Sequence, residues 1–265
     1  MRALLIAMLL AALGQPFART SRCLSQEGSA REQLERAGAL RNSARGLGGA
    51  ARARARQAAV RAYRAVVESF PNEPAVAAEA AFRAGELLRA GGDGTGAREE
   101  FARARFLGAG TDFRARAALE LGHLARRDGE LEAALDHYLA VLADHQAARS
   151  RRDDAALWAG RAYGLSGRRV DARRMWSRVA ETAEDALDRV LAFDDLALSW
   201  IGDGDLEAAA GELERCREAL SEPALEETEL GERVRRALQR MRAVPALKAA
   251  VLRRLEGVVI DAGGR

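Results

Sequence analysis

Few residues of this sequence have the types and spacing that catalysis or metal binding requires. Its three histidines, His123, His137 and His145, lie 14 and 8 residues apart and have no cysteine beside them. Two metal ligands on one helical turn need a spacing of i, i+3 or i, i+4, so this pattern predicts no metal site. The glycines of GGDGTG at 91–96 lack the Gly-Lys-Ser/Thr ending of a phosphate-binding loop, and we expect an interhelical turn there.

Two pairs of adjacent acids, Asp153-Asp154 and Asp194-Asp195, are the remaining candidates for acid–base chemistry. Adjacent residues on a helix point in different directions, so we expect a helix cap and solvated surface instead of a catalytic pair. The tryptophans lie in apolar stripes, which favour core packing over a cofactor site: Trp158, Trp176 and Trp200. The sequence therefore predicts no catalytic residue, no cofactor and no enzymatic activity.

The composition favours helices over strands. Of the 265 residues, 48% are hydrophobic but only 5% are aromatic, and alanine, the best helix former, is abundant. Residues typical of strands are less abundant. The composition predicts an all-α fold, and the net charge of +3 leaves the overall electrostatics close to balanced.

The first residues have the pattern of an export signal. Arg2 is followed by an apolar run from Ala3 to Leu13, which is short for a membrane span but typical of a secretory signal. We expect a signal peptide at 1–18, a flexible segment at 19–28, and an exported, periplasmic or envelope-associated protein without a membrane span after cleavage. Export permits disulfides, yet Cys23 and Cys216 are far apart, and we expect Cys216 to be buried and unpaired.

A pattern of small and large residues recurs through the middle of the chain. Units that start at residues 78, 115, 153 and 190 are spaced by 37, 38 and 37 residues. Position 8 of each unit is small: Gly85, Gly122, Gly160 and Ala197. Position 15 is always glycine: Gly92, Gly129, Gly167 and Gly204. Position 24 is large: Phe101, Tyr138, Trp176 and Leu213.

These residues resemble the tetratricopeptide repeat (TPR) family, whose unit is a pair of antiparallel helices with small residues at positions 8 and 20 and a large one at 24. The resemblance implies a TPR-like α-solenoid, a right-handed superhelix of stacked helix pairs, over residues 29–220. An earlier half-unit, QAAVRAYRAVVESFP, fits a first unit starting near residue 40. The stretch SFPNEPAVAAEAAFRAGELLRAGG is also similar to bacterial envelope TPR proteins of the outer-membrane assembly and Tol–Pal type.

The residues after the last unit have a helical pattern of their own. We expect capping helices over 221–257, because acids crowd the start of this region and apolar residues form a stripe along it. Such helices would cover the apolar end of the last repeat. The glycine-bearing tail at 258–265 should fray.

The resemblance implies that the first helix of each unit lines a concave groove, which would run from mixed charge through a basic middle to a more apolar end. The implied groove residues are Glu79, Phe82, Glu86, Arg89, Arg116, Leu119, His123, Arg126, Arg127, Asp154, Leu157, Arg161, Leu191, Asp194, Leu198 and Ile201. A basic groove suits an extended peptide with acidic groups or a free carboxylate, and we expect Arg126, Arg127 and Arg161 to anchor it.

The sequence thus favours a non-catalytic scaffold for a protein or peptide partner. An alternative is a self-assembling envelope protein, a homo-oligomer in which the acidic stretch 181–232, with 17 acids and three arginines, meets the basic N-terminal part of another copy. A nucleic-acid binder is a further alternative, through the six arginines of Arg45–Arg64. Because Tyr63 is the sole aromatic residue there and export argues against it, we expect no nucleic-acid partner.

Overall fold

The computed structural model of the protein describes residues 28–220 and 229–242, together with residues 244, 245 and 249. Within these ranges all regular structure is α-helical, as the composition predicts. The expected signal peptide, Cys23, the start of the C-terminal capping region and the tail lie outside the described residues, as does most of the sequence after Pro245.

The described helices follow one another through short turns. They are α1 (Ala30–Ser43), α2 (Gly49–Ser69), α3 (Pro74–Ala90), α4 (Gly94–Leu107), α5 (Asp112–Arg127), α6 (Leu131–Ala143), α7 (Arg149–Leu165), α8 (Arg169–Thr182), α9 (Ala186–Gly202), α10 (Leu206–Ala219) and α11 (Glu229–Arg242). Each helix packs against the next along the chain from α1 to α10. This arrangement gives five helix pairs, and we call α1, α3, α5, α7 and α9 the first helices and their partners the second helices.

The repeated small and large residues meet inside each pair. A Cβ on Gly122 would lie 2.5 Å from the ring of Tyr138, and one on Gly160 would lie 2.4 Å from the indole of Trp176. Contacts this short have no room for a methyl group, so glycine lets the ring of the second helix lie against the backbone of the first. Positions 8 and 24 of the repeat are therefore in direct contact in these pairs.

In the last pair, different residues occupy positions 8 and 24. Ala197 and Leu213 replace the glycine and the aromatic residue, and both are buried, at 0% and 4% exposed. A larger residue at position 8 thus accompanies a smaller residue at position 24, which is the volume-conserving exchange that a close-packed core tolerates.

Glycines also close each of the four later pairs. Gly129, between α5 and α6, has a φ of 82°, a left-handed conformation that a residue with a Cβ adopts only with strain. The equivalent turn glycines have the same conformation: Gly92, Gly167 and Gly204. Asp93 and Asp205 then cap α4 and α10 by accepting hydrogen bonds from the backbone amides of Gly96 and Ala208, both at 2.9 Å.

The first pair differs from the predicted frame. The unit start near residue 40 lies within α1, whereas the pair begins at Ala30 after a capping box formed by Ser29 and Glu32. The small residue that faces Tyr63 is Gly38, which would place a Cβ 3.7 Å from its hydroxyl. The repeat spacing assigns this position to Leu47, which instead lies in the turn before α2 and is 38% exposed. The second helix, α2, has 21 residues, against 14, 13, 14 and 14 in the later pairs.

The described C-terminal helix covers the end of the stack. Helix α11 packs against α9. Val234, Ala237 and Leu238 are at most 5% exposed and belong to the same apolar cluster as α7–α10. Cys216 of α10 is buried in this cluster too.

Replacing Gly85 with alanine tests the contact between the small and large positions. Alanine is about 1 kcal/mol more favourable than glycine in a helix, but a Cβ here would lie 2.7 Å from the Phe101 ring, and overpacking costs roughly 1–3 kcal/mol. We therefore expect Gly85→Ala to lower the urea midpoint of unfolding, measured by circular dichroism. The control Gly202→Ala adds a Cβ with nothing within 4 Å and should not lower it.

The double variant Gly85→Ala/Phe101→Leu separates a clash from a simple loss of stability. It recreates the combination of Ala197 and Leu213, so its loss should be clearly smaller than the sum of the two single losses. Additive losses would show that the glycine is not there to make room for the ring.

Candidate peptide-binding groove

The first helices form the inner side of a curved stack. Successive first helices, α1 to α9, pack against one another as well as against their own partners, and they approach one another more closely than the second helices do. The stack therefore curves around the first helices, and their outward faces line a concave groove, as the resemblance to TPR proteins implies.

Three of the predicted groove residues belong to the core instead. Phe82, Leu119 and Leu157 are 2%, 6% and 2% exposed, and they pack in the apolar clusters between helices. In these three units position 5 thus points into the contact between neighbouring first helices, where apolar side chains are buried. These side chains lie beneath the surface of the groove and expose little area to a ligand.

The charges of the first part of the groove pair with each other. Glu79 of α3 lies 3.1 Å from Arg31 of α1, and Arg116 of α5 lies 3.9 Å from Glu86 of α3. Arg89 of α3 and Glu120 of α5 form the same kind of bridge at 3.2 Å. Side chains that neutralise each other between neighbouring first helices are less available to a ligand.

The middle of the groove is built around a tryptophan. Trp158 of α7 is partly exposed, and two guanidinium groups lie over its ring, that of Arg126 at 4.8 Å and that of Arg161 at 4.5 Å from the centroid. The ring of His123 meets the indole edge-on at 4.8 Å. Cations over an aromatic face are attracted by its quadrupole, so this cluster is rigid, basic and open to the groove.

Trp158 is partly buried and packs against the core cluster, as the sequence predicts, but part of its ring is exposed, and the sequence contains a signal for this position. Trp158 lies four residues after Asp154 and three before Arg161, both predicted to face the groove, and these spacings place residues on one helical face. Trp176 is buried inside this cluster, at 6% exposed, and Trp200 is partly buried against it.

His123 helps to fix the cluster and carries no charge at neutral pH. Its Nδ1 lies 2.8 Å from the hydroxyl of Tyr138. Burial and the nearby charge of Arg126 lower the pKa of His123 to about 4, while burial raises the pKa of Tyr138 to about 12. The positive charge of the middle groove therefore comes from arginines alone.

The three predicted anchors do not converge. Arg126 and Arg161 share Trp158, but the Nε of Arg161 is bound to Asp195 at 2.7 Å. Arg127 lies at the edge of the stack, where its Nη2 is 3.6 Å from the place of a Cβ on Gly94. Arg126 is the anchor that faces the groove without a carboxylate within 4 Å among the described residues.

The far end of the groove is acidic as well as apolar. Leu198 is 47% exposed there, and Leu191 and Ile201 are partly buried, but carboxylates lie around them: Asp154, Asp188, Asp194 and Asp195. Burial, followed by the negative charges of Asp154, Asp185 and Asp153, raises the pKa of Asp188 to about 7. The groove thus changes from a basic middle to an end that carries carboxylates beside the predicted apolar residues.

Metal-binding clusters and membrane-spanning helices are both absent from the described part of the chain. No group of three or more His, Cys, Asp or Glu side chains there is arranged to hold a metal ion. None of its helices combines the length and the apolar character that a membrane span needs.

Comparison with known proteins gives similarity in structure alone. No protein-family model matches the chain, and no curated protein matches its sequence. Solved structures do match. A crystal structure of MamA protein has a TM-score of 0.53 at 19% identity, and the match covers 75% of this chain and 97% of MamA.

Two more solved structures extend the comparison. A putative kinesin light chain from Podosopora anserina with nearly identical TPR-like repeats matches with a TM-score of 0.51 at 18% identity, covering 75% of this chain and 97% of the other. PilW, described as a widely conserved type IV pilus biogenesis factor, matches with a TM-score of 0.51 at 16% identity, covering 84% of this chain and 98% of PilW. The fold is therefore a TPR-like α-solenoid.

The raised pKa of Asp188 makes stability depend on pH in a defined direction. The folded value is about 7, whereas an unfolded aspartate has a pKa of about 3.9. Between these values the folded chain holds a proton that the unfolded chain has released, so stability falls as pH rises through this interval and the loss is complete above the folded pKa. We expect Asp188→Asn to be more stable than the wild type at pH 8, by a margin that shrinks toward pH 4.

The measurement is urea unfolding at several pH values across this interval. Asp136→Asn, which changes an exposed carboxylate on α6, is the matched control and should give a difference nearly independent of pH. The same flat profile for Asp188→Asn would contradict the assignment of the titration to Asp188.

Proposed function

We propose that this chain is a non-catalytic scaffold that binds an acidic peptide segment of a partner protein in its concave groove. The binding centre is the cluster of Trp158, Arg126 and Arg161. The proposal is supported by the solenoid fold, whose stacked first helices give an extended inner surface, and by the placement of this partly exposed aromatic residue between two cations.

The observation that carries the proposal is the state of Arg126. Seven arginines of the described residues lie over aromatic rings, and six of them also form an ion pair: Arg83, Arg116, Arg161, Arg168, Arg173 and Arg215. Arg126 is the seventh and has no carboxylate within 4 Å in this part of the chain. Its Nε is buried and makes no hydrogen bond there.

A cation in this state favours an acidic ligand. A buried N–H without a partner costs roughly 1–3 kcal/mol, and a carboxylate from a peptide would offset this cost by pairing with the charge of the guanidinium group through a charge-assisted hydrogen bond. The indole of Trp158 offers an apolar surface beside it, and the carboxylates around Asp188 favour a basic residue further along the peptide. The peptide would therefore bind in one direction.

Selection from a random peptide library identifies the chemistry that the groove prefers. We expect the selected peptides to carry an aspartate, a glutamate or a free C-terminus, and to bind Arg126→Glu and Trp158→Ala at least ~10-fold more weakly, which is about 1.4 kcal/mol. Fluorescence anisotropy of labelled peptides measures the affinities, and circular dichroism checks that the helix content is unchanged.

The neighbouring arginine provides the matched control. Arg127→Glu makes the same change of charge one residue away, but its guanidinium lies at the edge of the stack beside Gly94, so peptide affinity should change little. Equal losses for Arg126→Glu and Arg127→Glu would indicate a diffuse charge effect and reject the binding centre at Trp158.

We also propose that the scaffold acts in the bacterial cell envelope after export. The apolar run from Ala3 to Leu13 behind Arg2 has the composition of a secretory signal. The similarity to PilW, a type IV pilus biogenesis factor, agrees with such a setting.

Fractionation of a bacterial cell that produces the full chain tests the location. We expect the protein in the periplasmic or envelope fraction with a new N-terminus after Gly14 or Ala18, determined by mass spectrometry. Recovery of the intact chain from the cytoplasm would reject the proposed export, and it would leave the groove proposal to be decided by the peptide measurements.

A further inference from the structure

A second basic site lies away from the concave groove. The first part of α2 and the C-terminal end of α3 line a cavity of about 470 Å³, within the size range of small-molecule sites. Val60, Leu87 and Leu88 supply apolar surface, and Arg56, Arg61 and Arg64 supply positive charge.

The extra length of α2 creates this cavity. In the later pairs the second helix begins at position 17 of the unit, for example at Gly94 or Leu131, and the equivalent position in the first pair is Arg56. Helix α2 begins seven residues earlier, at Gly49, so Ala53, which lines the cavity, lies in the added segment. In the later pairs the second helix begins after the position equivalent to Ala53, so no helical segment lies on that side.

The charges of the cavity are not balanced. Arg64 is compensated by the buried carboxylate of Glu100, 2.7 Å from its Nε. Among the described residues, Arg56 and Arg61 have no carboxylate within 4 Å, and Asp93 is the one acid that lines the cavity. The Oδ1 of Asp93 already accepts the hydrogen bond that caps α4. Two guanidinium groups therefore share a cavity whose single lining carboxylate lies more than 4 Å from both, so positive charge is in excess and favours an anion.

The guanidinium of Arg56 lies against the backbone of α3. Its Nη1 lies 2.5 Å from the place of a Cβ on Gly91, so any other residue at 91 would displace it. The nearby carbonyl oxygens of Leu87 and Leu88 already accept backbone hydrogen bonds from Gly91 and Asp93. The guanidinium of Arg56 thus keeps its donors for a ligand, and a planar guanidinium suits bidentate binding of phosphate.

We propose that this cavity binds a small phosphomonoester with an apolar body. The phosphate, whose charge at neutral pH is close to −2, matches the two uncompensated guanidinium groups of Arg56 and Arg61. The apolar part packs against Leu87 and Leu88. This site is independent of the peptide groove, whose binding centre is formed by other helices.

Phenyl phosphate is the probe, titrated into the full chain by isothermal calorimetry at physiological ionic strength. We expect saturable binding that is at least ~10-fold weaker for Arg56→Gln/Arg61→Gln. The double variant Arg45→Gln/Arg54→Gln is the matched control, since it removes two exposed arginines of the same stretch that do not line the cavity, and its affinity should stay within about two-fold of the wild type.

Two further measurements test whether phenyl phosphate binds in this cavity. Ala53→Phe fills it without changing charge and should abolish binding, while circular dichroism confirms that the helices remain. Inorganic phosphate should bind more weakly than phenyl phosphate, because it cannot use the apolar surface. Equal losses in the two arginine double variants, equal affinity for the two phosphates, or no binding by the wild type would each overturn the proposal.

Discussion

The structure depends on one contact, the ring of a second helix lying against the backbone of its first helix. In three pairs this contact requires glycine, because a Cβ on Gly85, Gly122 or Gly160 would lie 2.4–2.7 Å from the opposing ring. The contact sets the distance between the two helices, and hence the angle at which the next pair stacks. The groove follows from it, since the first helices, held against their partners in this way, also pack against one another.

Much of the fold could be predicted because this contact is encoded in single residues at fixed spacing. Position 8 and position 24 stand 16 residues apart in the four later units, and the turn glycines have the predicted left-handed conformation. In the first pair the spacing is 25 residues, from Gly38 to Tyr63, because α2 is longer. A constant spacing therefore points to Leu47 in the turn, although Ser29 and Glu32 already indicate an earlier helix start.

The groove was less predictable because its properties arise between helices. The sequence indicates that Arg161 and Arg126 face the same way, but not that Asp195, on the next first helix, binds Arg161, while Arg126 has no carboxylate within 4 Å among the described residues. In the same way, the acids at the far end come from the starts of α7 and α9, which are more than 30 residues apart in sequence. Their mutual repulsion, and the resulting pKa of Asp188, depends on stacking of the pairs.

Arginine has two roles in this chain, and the difference between them separates structural from functional sites. Where a guanidinium lies over a ring and also meets a carboxylate, as Arg173 does with Trp200 and Asp203, its charge is neutralised within the fold and it acts as part of the packing. Among the described residues, Arg126 over Trp158 and Arg56 beside Gly91 have no such carboxylate within 4 Å. Holding an uncompensated cation in a fixed position costs stability, and a bound anion offsets this cost. The two sites therefore favour anionic ligands for the same physical reason, although one is an extended groove and the other a cavity between two helices.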